Sequence, residues 1–338
     1  MRIRQIGKCF VLPLMLIIVL SGCGSVTWIG NLFGSRAMMT IDEEELSSEA
    51  AKVLAAAQVK LIRDAYGEEA METELADGTF ASYAKESAAE AIQRTFILRC
   101  LADSEGISLS EDDQKEIENA VEAYRSSMEE GEDKKTDFSD EAIEEAIETV
   151  LLALRYESNI CNIQGISADE EECRVIRGKQ IVIYFSNEEE KAEAKNTMNH
   201  ILELRQSGSS FTALCARYSQ ADETNVQFAR GYFDDPDFDE AVFALSDGQS
   251  SEILERTSDS CFVIFYCLDS NVESMTEKNI EDAEEQECQT LIETAIEKYV
   301  SAHTSEWNTS AWNSIAILAE DMTSSADLYS ICEGFSVN

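Results

Sequence analysis

The stretch that decides the fold runs from residue 238 to residue 251 and reads Phe238-Asp-Glu-Ala-Val-Phe-Ala-Leu-Ser-Asp-Gly-Gln-Ser-Ser251. Its first half predicts a short helix led by Phe238, and Asp247-Gly248 predicts a turn. The continuous apolar run Cys261 to Leu268 follows, and it is long enough to form a strand at the centre of a sheet. A helix, a turn and a buried strand in this order indicate a small α+β domain.

The residues before this stretch supply the rest of that domain. Lys179 to Phe185 is a β-type run, and a long helix is predicted from about Glu188 to Gln206, closed by Gly208. A second, shorter helix carries four side chains on one face, namely Phe211, Leu214, Cys215 and Tyr218. The pattern therefore predicts strands and helices of one domain over residues 173–270.

The sequence on both sides of this domain has a helical pattern. Four helices are predicted between Glu43 and Tyr156, and Ser110 to Asp113 offers a capping box at the start of the third. Residues 129–136 are predicted to connect the third helix to the fourth, and another long helix follows Thr276. We therefore predict an α+β chain in which a small antiparallel-sheet domain is inserted into an all-α domain, formed by residues 42–172 and 271–338.

The first 22 residues have the composition of a secretory signal. Three basic residues precede an apolar run from Cys9 to Leu20, which gives about 18 Å of helix and is too short for a hydrocarbon core of about 30 Å. Leu20-Ser-Gly-Cys23 resembles the lipobox of bacterial lipoproteins, in which the cysteine is lipidated and becomes the first mature residue. We expect a signal peptide over 1–22, lipidation of Cys23 and a tether over 23–41. A plain signal peptide with an incidental cysteine is the alternative.

Charge and composition limit the classes of partner that the chain can bind. The chain has 26 basic and 67 acidic residues, a net charge of −41, which repels nucleic acids and anionic lipid surfaces. An apolar content of 44% is enough to form packed cores, so the acidic residues are expected on a solvated surface. Apart from the predicted lipid anchor, the composition therefore argues against a membrane or nucleic-acid partner.

No metal or cofactor site is predicted. The ten cysteines include no CxxC pair, and the two histidines, His200 and His303, neighbour no cysteine pair that would suggest zinc. Cys261 and Cys267 would lie on one face of a strand, about 20 Å apart, and a disulfide between them is excluded. The acidic segment Asp235 to Asp239 fails the calcium-loop template and is predicted to be a solvated loop.

Residues 174–269 resemble the parvulin-type peptidyl-prolyl isomerases. The resemblance rests on the strand and long helix, on Gly208-Ser-Ser-Phe211, on Gly231-Tyr-Phe233 and above all on the stretch 238–251. Together with the lipobox and the helical flanks, the order of segments resembles the foldases and chaperones of the PrsA and SurA type. The resemblance implies a membrane-anchored, extracytoplasmic protein whose partners are unfolded or partly folded exported polypeptides.

The resemblance also marks candidate site residues. Gln180 stands where the family has a first histidine, Phe262 where it has a second, and Ala221 where it has a cysteine or aspartate. Phe238, with Phe233 beside it, is implied to line the proline pocket. Rotation about an X-Pro bond crosses a barrier of ~18–20 kcal/mol, and catalysis requires an apolar cup that binds the twisted amide better than the planar one.

Three functions follow from these observations. The leading hypothesis is a foldase or chaperone whose parvulin-like domain has lost the family histidines. A non-catalytic surface lipoprotein that uses this fold as a peptide- or partner-binding scaffold is the second. A solute-binding lipoprotein is a distant third, because the α/β repeats of its two lobes are missing.

Overall fold

A computed structural model of the protein describes residues 37–75, 78–317, 322 and 324–336. The predicted signal peptide, Cys23 and most of the predicted tether lie outside these residues. The chain divides into two compact units, which we call the helical unit (residues up to 164 and from 290 onward) and the sheet unit (Gly165–Gln289). The sheet unit extends beyond the predicted 173–270 domain at both ends.

The elements follow in chain order. The first part of the helical unit contains β1 (Ala37–Ile41), β2 (Glu44–Ser47), α1 (Ser48–Tyr66), a 3-10 turn (Glu68–Glu72), β3 (Glu74–Leu75), β4 (Gly78–Thr79), α2 (Phe80–Ser104), α3 (Glu111–Ser127), α4 (Glu132–Thr136) and α5 (Asp140–Gln164). The sheet unit contains α6 (Glu170–Cys173), β5 (Val175–Tyr184), α7 (Glu188–Gln206), α8 (Phe211–Tyr218), β6 (Asn225–Ala229), α9 (Pro236–Phe243), β7 (Leu254–Arg256) and β8 (Cys261–Asp269). The long helix α10 (Glu273–Ala302) begins in the sheet unit and ends in the helical unit, which then adds β9 (Ser305–Trp307), α11 (Thr309–Ser314) and α12 (Leu328–Ser336).

The core of the helical unit lies between α1, α2 and α5, and α12 packs against α3 and α5. The predicted capping box at the start of α3 is present: the Ser110 hydroxyl accepts from the Asp113 amide at 3.2 Å, and the Asp113 carboxylate accepts from the Ser110 amide at 2.6 Å. The Arg155 guanidinium also bonds this carboxylate at 2.9 Å and holds the pKa of Asp113 well below its usual range. A local sequence signal was therefore sufficient to locate this helix start.

The helical unit also contains a sheet, which the sequence did not reveal. β1 is the middle strand of the order β2-β1-β9, and Met39 pairs with Trp307. Met38 and Ile41 are fully buried. Residues 37–41, predicted to belong to the tether, are therefore core, and this unit is not all-α. The physical reason is long-range: β1 finds its partner strand more than 260 residues away, and no local pattern reports such a pairing.

The sheet unit is built on four antiparallel strands in the order β6-β5-β8-β7. The apolar run that predicted a central strand forms β8, which lies between β5 and β7. The register pairs Gln180 with Phe265 and Ile183 with Phe262. Gly178 sits at an irregularity in this ladder, where an added Cβ would lie 2.2 Å from the Phe265 ring, so only glycine fits. The α+β class predicted from the sequence is confirmed.

Side chains that alternate along β5 and β8 form two separate cores. We call them the α9 face and the α7/α8 face, after the helices that cover each side. The α9 face contains Ile176, Val182, Phe228, Phe238, Val242, Phe243, Cys261, Val263, Phe265 and Cys267. The α7/α8 face contains Ile181, Ile183, Ala194, Met198, Ile201, Phe211, Leu214, Cys215, Phe262 and Ile264.

Cys261 and Cys267 lie on one face of the same strand, β8. Cys261 and Cys267 carry free thiols and are buried on the α9 face, as a same-face pair in one strand requires. Within the described ranges, no group of three or more His, Cys, Asp or Glu side chains is arranged to hold a metal ion. The described helices also include none that combines the length and apolarity needed to cross a membrane.

Candidate functional site

Gln180 lies in the middle of β5 and points to the α9 face. Its side chain is only 7% exposed, and its Nε2 donates to the carbonyl oxygen of Glu223 at 3.2 Å. This bond fixes the orientation of the amide, since a flipped amide would place two oxygens together. The other end of the amide, Oε1, is buried and has no hydrogen-bond partner among the described residues. Gln180 therefore presents a free acceptor to the apolar side of the sheet.

β6 pairs with β5 only as far as Lys179, and beyond it the loop between α8 and β6 lies along the edge of β5. The Ser219 hydroxyl accepts from the Val182 amide at 3.1 Å, and the Gln220 amide donates to the Val182 carbonyl at 2.8 Å. Ala221 comes next, is half-buried and packs against the α9-face core. The structure thus brings Ala221 to the same side of the sheet as Gln180, but its methyl group offers no polar chemistry there.

Phe238 and Phe233 also belong to this face. Phe238 is 1% exposed, and its ring centroid lies 5.3 Å from that of Phe233 and 6.2 Å from that of Phe228. Phe228, on β6, also contacts Phe233 edge-on at 4.9 Å. Asp235 caps α9 by accepting from the Phe238 amide at 3.1 Å, which fixes the position of the ring. The predicted wall of the proline pocket is therefore the centre of a filled aromatic cluster.

Arg256 covers this cluster, and the sequence reasoning missed it. It ends β7 and is 4% exposed; its guanidinium lies 4.1 Å from the ring centroid of Phe233 and 5.4 Å from that of Phe238. Its Nε forms an ion pair with Asp259 at 2.7 Å, while Nη1 is buried without a hydrogen-bond partner in the described part of the chain. The available signal was a single basic residue in an acidic segment next to a predicted buried strand.

Phe262 does not join this site. The register pairs it with Ile183, so its side chain points to the α7/α8 face, where its ring lies 5.1 Å from Phe185. Its neighbours in β8, Cys261 and Val263, do lie on the side of Gln180, as do Phe265 and Cys267. The expectation that Phe262 joins Gln180 in the site is therefore wrong, because neighbouring residues of a strand point to opposite faces and Phe262 faces away from Gln180.

Cys261 occupies the α9 face opposite Arg256, with which it pairs across the β7–β8 ladder. Burial raises the pKa of its thiol, and the nearby Arg256 partly offsets that rise. A thiol held in its neutral form at physiological pH is a poor nucleophile. The residue therefore acts as a small buried apolar group and offers no covalent chemistry.

The arrangement limits what the site does chemically. Preferential binding of a twisted prolyl amide needs an open apolar cup with polar groups at its rim. Here Phe228, Phe238 and the Arg256 guanidinium fill the space between the sheet and α9. A prolyl ring enters only if one of these side chains moves. Next to Phe233, the side chain of Tyr232 is 72% exposed, and its ring contacts that of Phe233 edge-on at 4.8 Å.

Comparison with solved structures finds similarity along most of the chain. A PrsA peptidylprolyl isomerase from Bacillus cereus is 15% identical, with 77% of this chain and 97% of that chain covered and a TM-score of 0.35. The foldase protein PrsA from Lactococcus lactis is 13% identical, with 86% and 100% covered and a TM-score of 0.34. A SurA-like chaperone from Campylobacter jejuni is 11% identical, with 81% and 100% covered and a TM-score of 0.29. A search of curated proteins gives no match to this chain.

The family comparison concerns the sheet unit alone. Residues 179–269 match the rotamase family model, described as a PPIC-type PPIase domain. The matched range begins within β5, ends with β8 and contains Gln180, Ala221, Phe233 and Phe238. The sequence resemblance to the parvulin type is confirmed for this range. The chain therefore contains a PPIC-type peptidyl-prolyl isomerase domain, in which the aromatic residues beneath α9 are buried.

Proposed function

We propose that this protein is a lipid-anchored, extracytoplasmic foldase or chaperone that binds unfolded exported polypeptides, and that its PPIC-type domain serves mainly for binding. The observation that carries the proposal is the combination of a matched PPIC-type domain with a filled aromatic face. Retention of the fold without an open cup favours a domain that holds polypeptide over one that turns over prolyl bonds.

Exposed aromatic side chains supply the surface for holding polypeptide. In the sheet unit, Tyr232 stands at the edge of the α9 face. In the helical unit, Tyr66 and Tyr83 are 44% and 49% exposed and both contact the ring of Phe80. Exposed aromatic groups rimmed by polar residues are typical of surfaces that bind other polypeptides.

Location is the part of the proposal that rests on sequence alone. The basic head, the short apolar run and Leu20-Ser-Gly-Cys23 support export and lipidation. Cells that produce the full chain and are fed radioactive palmitate should label it, and the Cys23→Ser variant should lose the label and enter the soluble extracytoplasmic fraction. Equal labelling of both forms would refute the anchor at Cys23.

Chaperone action is tested by light scattering. The full-length chain at equimolar ratio should slow the aggregation of a denatured exported protein diluted into buffer. Tyr232→Ser should weaken this effect at least twofold, because it removes the exposed ring at the edge of the α9 face. Leu268→Ser is the matched control, since Leu268 is a 42% exposed apolar residue on the same unit, outside the α9-face cluster. No delay by the unmodified chain would contradict the proposal.

Isomerase activity is tested separately in a protease-coupled assay on X-Pro peptides. The unmodified chain should stay within about twofold of the uncatalysed rate, because the cup is filled. Gln180→His, which restores the family residue, should not raise the rate alone, since the Arg256 guanidinium still covers the aromatic rings. A rapid rate from the unmodified chain would show that the α9 face opens readily in solution.

A further inference from the structure

A second feature of the sheet unit lies outside the aromatic site. Beside the N-terminal end of α9, a cavity of about 330 Å³ is open to solvent. Its lining consists of Glu172, Arg230, Gly231, Asp234, Asp235, Pro236 and Asp239. Four of these seven residues are acidic, and two of the four, Asp235 and Asp239, belong to the segment predicted from the sequence to be a solvated loop.

Asp239 is the unusual member of this lining. It is 6% exposed, and its Oδ2 accepts from the Gly231 amide at 2.5 Å. Its second oxygen, Oδ1, is buried and has no hydrogen-bond partner within the described residues. A buried carboxylate oxygen without a donor is costly, and native proteins keep such groups where a ligand or ordered solvent supplies the donor.

The other charged residues of the lining either interact with groups other than Asp239 or are themselves acidic. Arg230 donates to the Glu171 carbonyl at 3.1 Å and lies 4.5 Å over the Phe243 ring. Asp235 uses Oδ1 to cap α9. Glu172 and Asp234 are both exposed at the rim. Four acidic residues against one arginine make the lining negative, and no described group donates to Asp239 Oδ1.

We infer that this cavity is a subsite for the cationic side chain, lysine or arginine, of a bound polypeptide. An ammonium or guanidinium group carries the donors that Asp239 Oδ1 lacks, and its charge suits the acidic rim. The position supports this assignment, because Gly231 precedes the exposed Tyr232 directly. A polypeptide lying against Tyr232 places a neighbouring side chain at the cavity.

The inference rests on the proposed function and narrows it. It selects clients in which a basic residue stands close to an apolar or aromatic one. The net charge of −41 acts in the same direction, because it raises the local concentration of basic chains before they make contact. A discrete metal ion is disfavoured by the absence, among described residues, of three ligating groups in a suitable arrangement.

The test measures fluorescence anisotropy of two labelled peptides that differ at one position, Gly-Ser-Phe-Lys-Gly-Ser and the same peptide with norleucine in place of lysine. The protein is the full-length chain and its Asp239→Asn variant, whose side-chain carbonyl still accepts from Gly231. Asp237→Asn is the matched control, since Asp237 is exposed in the first turn of the same helix and does not line the cavity.

Asp239→Asn should weaken binding of the lysine peptide about five- to tenfold and leave binding of the norleucine peptide within about twofold. Asp237→Asn should change both by less than about twofold. Equal weakening of both peptides by Asp239→Asn would assign Asp239 to loop structure alone and overturn the inference. An unchanged lysine affinity would overturn it as well.

A second measurement separates this inference from the proposed function. Nα-acetyl-lysine methylamide, added to ¹⁵N-labelled protein, should shift the amide signals of Gly231 and Phe238, and the norleucine analogue should not. This result would support the subsite even if the chain failed to prevent aggregation. Absence of lysine-specific shifts at these amides would refute the subsite even if chaperone action were confirmed.

Discussion

The two faces of the sheet in the PPIC-type domain are equally well buried but differ in chemistry. The α7/α8 face is mostly aliphatic, and Phe262 and Ile264 pack there against α7 and α8. The α9 face is aromatic and lies beneath buried polar groups. Within the described part of this unit, the buried side-chain atoms that lack hydrogen-bond partners belong to four residues, Arg174, Gln180, Asp239 and Arg256. Gln180 and Arg256 contact or point to the α9 face, and Arg174 and Asp239 lie around α9.

This difference indicates which face has been shaped by function. A core selected only for stability gains nothing from unsatisfied donors and acceptors, each of which costs about 1–3 kcal/mol. In native proteins such groups usually meet a partner, such as a ligand or an ordered water molecule. This contrast supports the proposal that binding involves the α9 face and its edges.

The largest effect is expected at Phe262. Phe262→Ala should lower the free energy of unfolding of the sheet unit by about 3–5 kcal/mol, because it leaves a cavity in the α7/α8 face. Amide hydrogen exchange of β5 and β8 measures this loss, with Phe262→Leu as a milder control at about 1 kcal/mol. If Phe262→Ala kept full protection of these amides from exchange but lost peptide binding, the two faces would not have separate roles.

A smaller effect on the free energy of unfolding, different in size for two variants, is expected at the Arg256–Asp259 pair. Asp259→Asn should lower the free energy of unfolding by about 2 kcal/mol, because it leaves the Arg256 cation buried and unpaired. Arg256→Met replaces that cation by an apolar side chain of similar length and should change stability by less than about 1 kcal/mol. Amide hydrogen exchange at β7 and β8, measured as a function of urea concentration, distinguishes the two variants. A large loss in Arg256→Met would show that the guanidinium stabilises the closed face.

Gln180→Leu should change the free energy of unfolding still less. This variant loses the hydrogen bond to the Glu223 carbonyl but also removes the unsatisfied Oε1, so the two terms should cancel to within about 1 kcal/mol. Amide hydrogen exchange at β5 and β8 measures this change in the free energy of unfolding. A loss above about 2 kcal/mol would mean that Oε1 has a partner in solution, such as bound water.

The finest test compares one thiol on each face. Burial raises the pKa of Cys215, on the α7/α8 face, to about 11 and also raises that of Cys261 on the α9 face. Both should react slowly with iodoacetamide at pH 8 and about tenfold faster at pH 9, since the thiolate fraction rises tenfold per pH unit below the pKa. Mass spectrometry should show that a bound peptide changes the rate at Cys261 only. An equal change at Cys215 would show that the faces open together.

Many of the helices and strands of the sheet unit were predictable from local sequence patterns. The helix predicted from Glu188 to Gln206 is α7, the predicted strands lie within β5 and β8, and the stretch that begins at Phe238 forms α9 and its following turn. These elements were predictable because apolar spacing, a helix cap and a glycine turn act over a few residues. β1 was missed because its identity as a strand depends on β2 and β9.

The candidate site was predicted only in part. Gln180, Ala221, Phe233 and Phe238 do lie on one side of the sheet, as the resemblance implied. Phe262 was misplaced because a continuous apolar run offers no polar residue to mark which side chains point inward. Arg256 was missed because an isolated arginine gives no sign that it will be buried over aromatic rings.

The sequence by itself determined the α+β class, the order of helices and strands around the central β8, and the strong negative charge. Those properties depend on periodicity and composition. Only the tertiary structure decided that the proline cup is closed and that Asp239 keeps a free buried oxygen. The first follows from strand register, which brings Arg256 of β7 over Phe233, because side-chain direction reverses with every residue of a strand. The second follows from the packing of the turn at Gly231 against α9, where one carboxylate oxygen of Asp239 accepts from the Gly231 amide and the other is left without a donor.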